Sequence, residues 1–385
     1  MKVAFDGRSL ASPVLRGWDR YTVGLVKELV RQGIDITLFH RANEPLHGPH
    51  VAGLGCRVHG LRDRGGLYWE QLAVPWALWR GRYDVFHAPA EHGVPLASPC
   101  PVVLTIHSVT GHSYAHLVRR GLLPGRVQDY LGYEAKLRTP AAAYMNAQIA
   151  RANHILTPSS FCRQEVLQFL RVPPQRVTVT PLAVHEQFHR PPQSPPATGA
   201  GLGRLGIRRP YLLYVGGYEP HKNVRGLLTA FALVHEARPD LSLILVGSKG
   251  IPKKLFAEAK ALGLRSGRDV HFLLNLTEEL NDLYDGAELF VSLSWRETFC
   301  LPALEAMTRG LPVIASAWGA TPEIVRDGGR LVDPRDPTAA AKTILNLLDF
   351  PNRAQLVERA RENSRRFDWA LAAEKTRRLY VRLAG

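Results

Sequence analysis

Short apolar runs alternate with longer stretches in which apolar residues recur every three or four positions, and the alternation continues along all 385 residues. The short runs read as strands and the amphipathic stretches as helices, which together are the signature of parallel α/β sheets. In the first half the runs lie at Lys2–Phe5, Asp35–Phe39, Asp84–His87, Val102–His107 and His154–Pro158, with Val177–Thr180 as a last short strand. At Arg190–Gly201 proline and glycine become dense enough to mark a linker. Strands resume at Tyr211–Val215, Leu241–Val246, Val270–Leu273, Leu289–Leu293, Pro312–Ala315 and Gly329–Val332. Helices such as Asn223–Ala237, Lys253–Ala261 and Thr277–Asp285 separate them. The pattern predicts two doubly wound domains, residues 1–190 and 210–365, joined by a linker over 191–209 and facing each other across a cleft. Pro351–Gly385 reads as a long charged helical stretch, broken at Phe367-Asp368-Trp369.

Composition narrows this only slightly. Apolar residues make up 45% and charged residues 22%, as in ordinary globular proteins. No window approaches the roughly 20 continuous apolar residues of a spanning helix. Met1-Lys2-Val3-Ala4-Phe5 enters a strand with no signal-peptide core, so a cytoplasmic protein is expected. Cys56, Cys100, Cys162 and Cys300 are scattered without a C-x-x-C pair and read as reduced thiols. The formal charge of +15 is spread over both halves, +9 in residues 1–190 and +6 in 191–385, so it forms no basic tail. Nucleic acid, an anionic membrane and a phosphorylated substrate all fit that charge, and so does a plain compositional bias toward arginine.

The densest chemistry lies at Trp295-Arg296-Glu297-Thr298-Phe299-Cys300-Leu301-Pro302-Ala303-Leu304-Glu305, directly after an apolar strand. Pro302 suits a first helical position, where its missing N–H costs nothing. A strand that delivers a loop and a helix N-terminus to the top of a sheet makes an anion site. Glu305, about one turn into the helix, would repel a phosphate but can accept hydrogen bonds from the hydroxyls of an attached ribose. Glu297, on the loop, can do the same for another hydroxylated group. The arrangement suits a sugar nucleotide; standing alone, it would be two surface glutamates at a helix entry.

It does not stand alone. The Glu297…Glu305 segment resembles the paired-glutamate (E-x7-E) motif of the retaining glycosyltransferases of family 4, which have the GT-B fold of two Rossmann-like domains. Tyr211–Gly217 followed by Pro220-His221-Lys222-Asn223 is similar to that family's strand, glycine loop and phosphate-binding lysine. Gly310–Ser316 and Gly319-Ala320-Thr321-Pro322-Glu323-Ile324-Val325 resemble the segments after the paired glutamates. Gly17-Trp18-Asp19-Arg20-Tyr21 and Val103-Leu104-Thr105-Ile106-His107 resemble family segments of the first domain. Each piece is weakly specific; their order and spacing together are strongly so. Residues 366–385 are expected to form a helix packed back on the first domain.

Gly216 and Gly217 end a strand, where missing side chains let a ligand approach the backbone. Lys222 precedes Asn223, a suitable N-cap, so its ammonium can join a positive helix end at a diphosphate rather than being a solvated loop lysine. His107 ends a strand at the carboxyl edge of its sheet, either capping it locally or, as the resemblance implies, contacting the donor sugar by side chain or backbone. Gly17, in the first strand-to-helix loop, is an ordinary turn glycine or one that lets the loop approach donor phosphate or acceptor. The chain also departs from the family. Gly217 stands where an arginine is common, leaving Lys222 or a substitute such as Arg225 to carry that charge. Ser108 follows His107 in place of Asp, and Asn275 replaces a glycine near the base. Glu297-Thr298-Phe299-Cys300 replaces Glu-Gly-Phe-Gly, so Thr298 and Cys300 are expected to narrow the loop and restrict positive φ. Cys300 reads as a packing residue, since nothing nearby in sequence activates it.

The resemblance implies hexosyl transfer from a nucleotide-diphosphate sugar with retained configuration, as in cell-surface polysaccharide biosynthesis. His107 and Glu297 are the catalytic candidates. Gly17, Gly216, Gly217, Lys222, Asn275, Glu297, Thr298, Phe299, Cys300, Leu301 and Glu305 are the donor-binding set. No cofactor or metal is expected, and no D-x-D occurs in the chain. The acceptor, a glycan, a lipid-linked sugar or a small molecule, falls to the first domain. There Tyr114–Arg151 carries Arg119, Arg120, Arg126, Lys136 and Arg138. That stretch reads first as amphipathic helices with a solvated basic face and second as a peripheral contact with the inner face of a membrane. A dinucleotide-dependent oxidoreductase is excluded by the loop after Phe5, which lacks G-x-G-x-x-G. Nucleic-acid binding lacks a motif and a concentrated basic stripe. A noncatalytic sugar-nucleotide or polyanion-binding protein on a degraded GT-B scaffold is the remaining alternative.

Overall fold

The computed structural model describes residues 1–13, 15, 17–119, 121, 139–189, 200–248, 250–276 and 279–385. The chain divides into one unit of Met1–Ala183 with Phe367–Gly385 and a second of Val184–Arg366. The division falls after Ala183, ahead of the proline-rich stretch. Of the expected linker, 191–199 lies outside the described residues and Ala200–Arg204 is helical within the second unit.

The first unit holds a seven-stranded sheet built from β1 (Lys2–Asp6), β2 (Asp35–Arg41), β3 (Arg57–Leu61), β4 (Val85–Ala88), β5 (Val102–Thr105), β6 (His154–Thr157) and β7 (Val177–Val179). Their order is β3-β2-β1-β4-β5-β6-β7, every pair parallel. The strand order reverses between β1 and β4, whose register pairs Phe5 with His87. β1, β4 and β5 are buried on both faces, which is why they read as continuous apolar runs. β3, an edge strand whose first four residues are exposed, carries no such run and was not anticipated.

The second unit holds β8 (Tyr211–Val215), β9 (Ser242–Gly247), β10 (Val270–Leu274), β11 (Leu289–Ser292), β12 (Val313–Ser316) and β13 (Gly329–Val332). They lie in the order β10-β9-β8-β11-β12-β13, again all parallel. The reversal falls between β8 and β11, and a reversal point opens a crevice at the carboxyl ends of its two strands. The helix Val224–Ala237 covers one face, burying Leu227, Leu228, Phe231 and Val234 against Leu243, Leu245 and Val291.

The helix Trp369–Ala384 closes the first unit by packing on the helix Gly17–Arg31. A Cβ on Gly24 would come within 2.4 Å of the Trp369 ring, so only glycine allows this approach. Gln32 donates to the Ala370 carbonyl at 3.0 Å. Deeper in, His87 Nδ1 lies 2.5 Å from the Tyr380 hydroxyl and Nε2 lies 2.7 Å from Thr105 Oγ1, which also meets the Tyr21 hydroxyl at 2.9 Å. His87 is fully buried, and burial with His107 nearby pushes its pKa down to about 3. The unfolded chain takes up this proton near pH 6.5 and the folded chain does not. Stability is therefore flat in this respect above pH 6.5 and falls by about 1.4 kcal/mol per pH unit as pH drops from there toward 3. We expect urea midpoints to fall along that arm and the slope to become shallower in His87→Gln; equal slopes would refute the assignment.

Candidate functional site

In the second unit the reversal point gathers the predicted residues from two directions. From β8 the chain passes Gly216 and Gly217 into a short 3₁₀ turn, Pro220–Lys222. Asn223 follows at φ 51° and caps the helix Val224–Ala237, its Oδ1 accepting from Gly226 N at 3.2 Å. Its Nδ2 donates to the carbonyls of Leu293 at 2.9 Å and Pro334 at 3.1 Å, which locks this turn to the end of β11. The Trp295 amide donates to the His221 carbonyl at 2.8 Å, a second tie between the two loops.

Between these ties Lys222 meets Glu297. Lys222 Nζ donates to Glu297 Oε1 at 2.8 Å and Oε2 at 2.9 Å, and Ser294 Oγ donates to Oε1 at 2.8 Å. Burial works to lower the lysine pKa, but Glu297 outweighs it, and the ammonium is held above its usual range. The neighbouring His221 is driven well below its usual range by burial, Lys222 and Arg296, so it is neutral at pH 7. Arg225 does not join this cluster. Its guanidinium is exposed and lies 3.8 Å from Glu258. Arg296, next to Glu297 in sequence, is a buried cation close enough to act on His221. A Cβ on Gly216 would meet the Tyr214 hydroxyl at 2.6 Å, whereas one on Gly217 would meet only the carboxylate end of the flexible Glu219 side chain, at 1.8 Å.

The paired-glutamate segment continues into the helix Leu301–Arg309, with Pro302 in its first turn and no side-chain cap at Cys300. Its N-terminus therefore presents the partial positive charge of the helix dipole beside Glu297. Phe299 and Cys300 are buried, and Thr298 and Leu301 half-buried. Cys300 sits at φ 72°, so the expectation that this residue keeps the loop out of positive φ is corrected: the loop adopts it regardless. The left-handed conformation costs a non-glycine residue about 1–2 kcal/mol. Burial, with Glu297 adding, pushes the Cys300 thiol up to about 12, so it is protonated at neutral pH and no nucleophile. Glu305 is 1% exposed, and the Tyr284 hydroxyl donates to its Oε2 at 2.8 Å. Asn275 follows β10 at φ 55°, exposed, a left-handed position that asparagine tolerates better than most residues.

Sequence reasoning did not single out Gly319. At φ 73°, its Cβ would fall 2.8 Å from both the amide nitrogen and the carbonyl oxygen of Glu297. The next residue, Ala320, donates its N–H to that carbonyl at 2.9 Å. The Gly319-Ala320 turn is thus the wall against which the Glu297 loop is set. Only its place in the Gly319–Val325 segment pointed to it.

His107 and Gly17 belong to the first unit. His107 follows β5 with its ring buried, Nε2 donating to the Pro89 carbonyl at 2.9 Å. A carbonyl can only accept, so Nε2 carries the proton and Nδ1 holds a lone pair. Burial pushes the ring below the usual histidine range although Glu91 pulls the other way. Glu91 accepts the amide hydrogens of both His107 and Ser108, each at 2.9 Å. A carboxylate thus reaches this strand end from the loop after β4, although none follows His107 in sequence. Gly17 is the first residue of a helix rather than part of a loop, and a Cβ there would meet open space. Beside it a cleft of about 620 Å³ opens near the ends of β1 and β4, bounded by Arg8, Ser12, Trp18, Asp19, Glu44 and His92. Arg8 is fixed in its wall by Asp6, by Glu70 at 3.0 Å, and by the Trp69 ring at 4.1 Å. Of Tyr114–Arg151, residues 120 and 122–138 lie outside the described residues. The helix Pro140–Arg151 packs on this unit, Tyr144 and Gln148 each donating to Glu70 Oε2 at 2.8 Å. Among the described residues no group of three or more His, Cys, Asp or Glu side chains is placed to hold a metal ion.

Two family models match the chain, "Glycosyltransferase Family 4" over residues 15–188 and "Glycosyl transferases group 1" over 204–367. The chain is 34% identical to O-antigen chain mannosyltransferase B of Escherichia coli, over 99% of both chains. It is also 34% identical to D-inositol 3-phosphate glycosyltransferase of Thermobispora bispora, over 95% of this chain and 89% of that one. In structure it is similar to Anabaena HepE, solved with UDP and glucose, at a TM-score of 0.74 and 19% identity with 100% of both chains covered. Two all-parallel doubly wound units, matched in sequence by both family models and along nearly the whole length of a mannosyltransferase, place this chain among the GT-B glycosyltransferases of family 4.

Proposed function

We propose that the chain moves a hexosyl group from a nucleoside-diphosphate sugar to a hydroxyl of a glycan or lipid-linked acceptor, with retained anomeric configuration and without a metal ion. The observation that carries this reading is Lys222, whose ammonium donates hydrogen bonds to both Glu297 oxygens at the reversal point, beside the N-terminus of the helix Leu301–Arg309. A departing diphosphate gathers negative charge, and a preorganised ammonium with a helix N-terminus is suited to receive it. In the reaction the bond from the anomeric carbon to the diphosphate oxygen breaks. The acceptor oxygen bonds to the same face, and its proton passes to the departing phosphate. Glu297 takes donor sugar hydroxyls and Glu305 the ribose; in the first unit His107 offers its Nδ1 lone pair as an acceptor for a hydroxyl. The cleft at Arg8, Trp18 and Glu44 is our choice for the acceptor, since an aromatic edge with carboxylates and an arginine suits a polyhydroxylated ring. The UDP and glucose bound by HepE and the O-antigen activity named for the Escherichia coli relative support a nucleotide-sugar donor and a surface-glycan product.

Calorimetry against UDP, GDP and ADP sugars tests the donor half. One base is expected to bind saturably, with affinity at least about tenfold weaker in Glu305→Gln and in Lys222→Ala. Glutamine is chosen at 305 because the site is buried and alanine would leave a cavity. Folded wild-type protein that binds no member of the panel would sink the proposal.

A further inference from the structure

The first unit carries a second surface that donor chemistry does not use. After β3 the chain forms a helix that runs through Gly66–Tyr68, a π-turn at Trp69–Ala73, and Val74–Gly81. The π-turn is marked by Val74 N–H bonding back five residues to the Trp69 carbonyl. Its extra residue lets Trp69, Glu70, Val74, Ala77 and Leu78 all face the core despite the five-residue step from 69 to 74. The same step aligns the opposite side. Leu67, Leu72, Trp76 and Trp79 are 64%, 60%, 57% and 69% exposed. Elsewhere among the described residues, large exposed apolar side chains are scattered along the chain; here four fall on one short helix.

We infer that the segment 62–82 is a docking surface for an anionic phospholipid bilayer, with its apolar side chains lying in the headgroup region. Charge selects this occupant. Arg62, Arg64, Arg80 and Arg82 are exposed around the apolar stripe. The carboxylates of the segment, Asp63 and Glu70, are turned inward, 8% and 9% exposed, to Arg41 at 2.9 Å and Arg8 at 3.0 Å. The exposed charge is thus wholly positive. A second copy docked face to face would set these arginines against themselves; the nearest exposed carboxylate in sequence, Asp84, lies past the segment and already accepts the Lys2 amide at 2.7 Å. An anionic bilayer meets both the apolar stripe and the cations. Arg80 lies 5.2 Å from the Trp76 ring and Arg64 5.9 Å from Tyr68, so cations and aromatics are presented together, as at a headgroup boundary. A cavity of about 410 Å³ between Trp79, Arg80, Arg82 and Tyr83 offers a pocket for a lipid phosphate. Among the described residues no helix is long and apolar enough to cross a membrane, so this contact is one that lies on the surface. The inference rests on no part of the donor reading; combined with it, it favours a lipid-linked acceptor.

Vesicle co-sedimentation of the full chain tests it, using phosphatidylcholine alone and phosphatidylcholine doped with phosphatidylglycerol. Wild type is expected to partition onto the doped vesicles and to be released by salt. Trp76→Ser/Trp79→Ser and Arg80→Glu/Arg82→Glu should each partition at least about tenfold less. Because all four side chains are exposed, thermal midpoint and nucleotide-sugar affinity should stay at wild-type values, which separates this outcome from misfolding and from failure of the donor site. Wild type that ignores the doped vesicles, wild type that associates with itself in their place, or folded variants that partition as wild type does would each overturn the inference.

Discussion

Lys222→Met is expected to lower kcat/KM by about a thousandfold, the loss typical of removing one preorganised charge donor from a transition-state site. Two effects add. On the proposed reading the departing diphosphate loses its cation, and Glu297, whose side chain is only 12% exposed, loses the ammonium that faced both its oxygens. An unpaired carboxylate beside the donor phosphates repels them, so affinity should fall along with turnover. Lys222→Arg should not restore activity, because a planar guanidinium does not fit a position built for a compact ammonium. In the double variant Lys222→Met/Glu297→Gln the orphaned charge is gone, and the loss should be smaller than the sum of the single losses. Steady-state kinetics with calorimetric donor affinities would decide this. A Lys222→Met enzyme within tenfold of wild type would remove the lysine from the mechanism.

Gly319→Ala is expected to cost about a hundredfold in activity and about 2–4 kcal/mol in stability. The added methyl group would sit 2.8 Å from the amide nitrogen and the carbonyl oxygen of Glu297, and backbone atoms cannot rotate aside as a side chain would. The φ of 73° strains alanine as well. The Glu297 loop must therefore shift, carrying its carboxylate away from Lys222 and Ser294. Gly17→Ala is the stability control, since its Cβ meets open space in the first turn of a helix and should change stability by less than about 1 kcal/mol. Paired urea titrations and kinetics check both variants, and a Gly319→Ala protein with wild-type activity would show that this wall does not position the loop.

The parallel sheets were legible because strands buried on both faces leave unbroken apolar runs, whereas the strand order that sets their reversal points is a property of the fold. β3 was not, since an edge strand with four exposed residues has no such run. Lys222 and Glu297 could each be named from local pattern, but their direct bond spans 75 positions and is a property of the strand order. Glu91, Tyr284 and Gly319 act through space on His107, Glu305 and Glu297, with nothing in their own neighbourhoods to announce it. At Cys300 the local rule pointed the wrong way, because the surrounding turn dictates the backbone and the residue bears the strain. In the helix at 66–81, only the fold separates the outward-facing Leu67, Leu72, Trp76 and Trp79 from the apolar residues that face the core.

The return of Trp369–Ala384 to the first unit has a consequence for how the protein is made. The Gly24 notch stays unfilled by Trp369, and His87 lacks the Tyr380 hydroxyl, until the last segment has been translated. The second unit, Val184–Arg366, is encoded entirely before that segment. Domains usually mature from the N-terminus as the chain emerges. Here the order is inverted: Met1–Ala183 precedes the second unit yet is completed only by residues that follow it, and a fragment ending at Ala183 would carry a sheet without the helix that seals it.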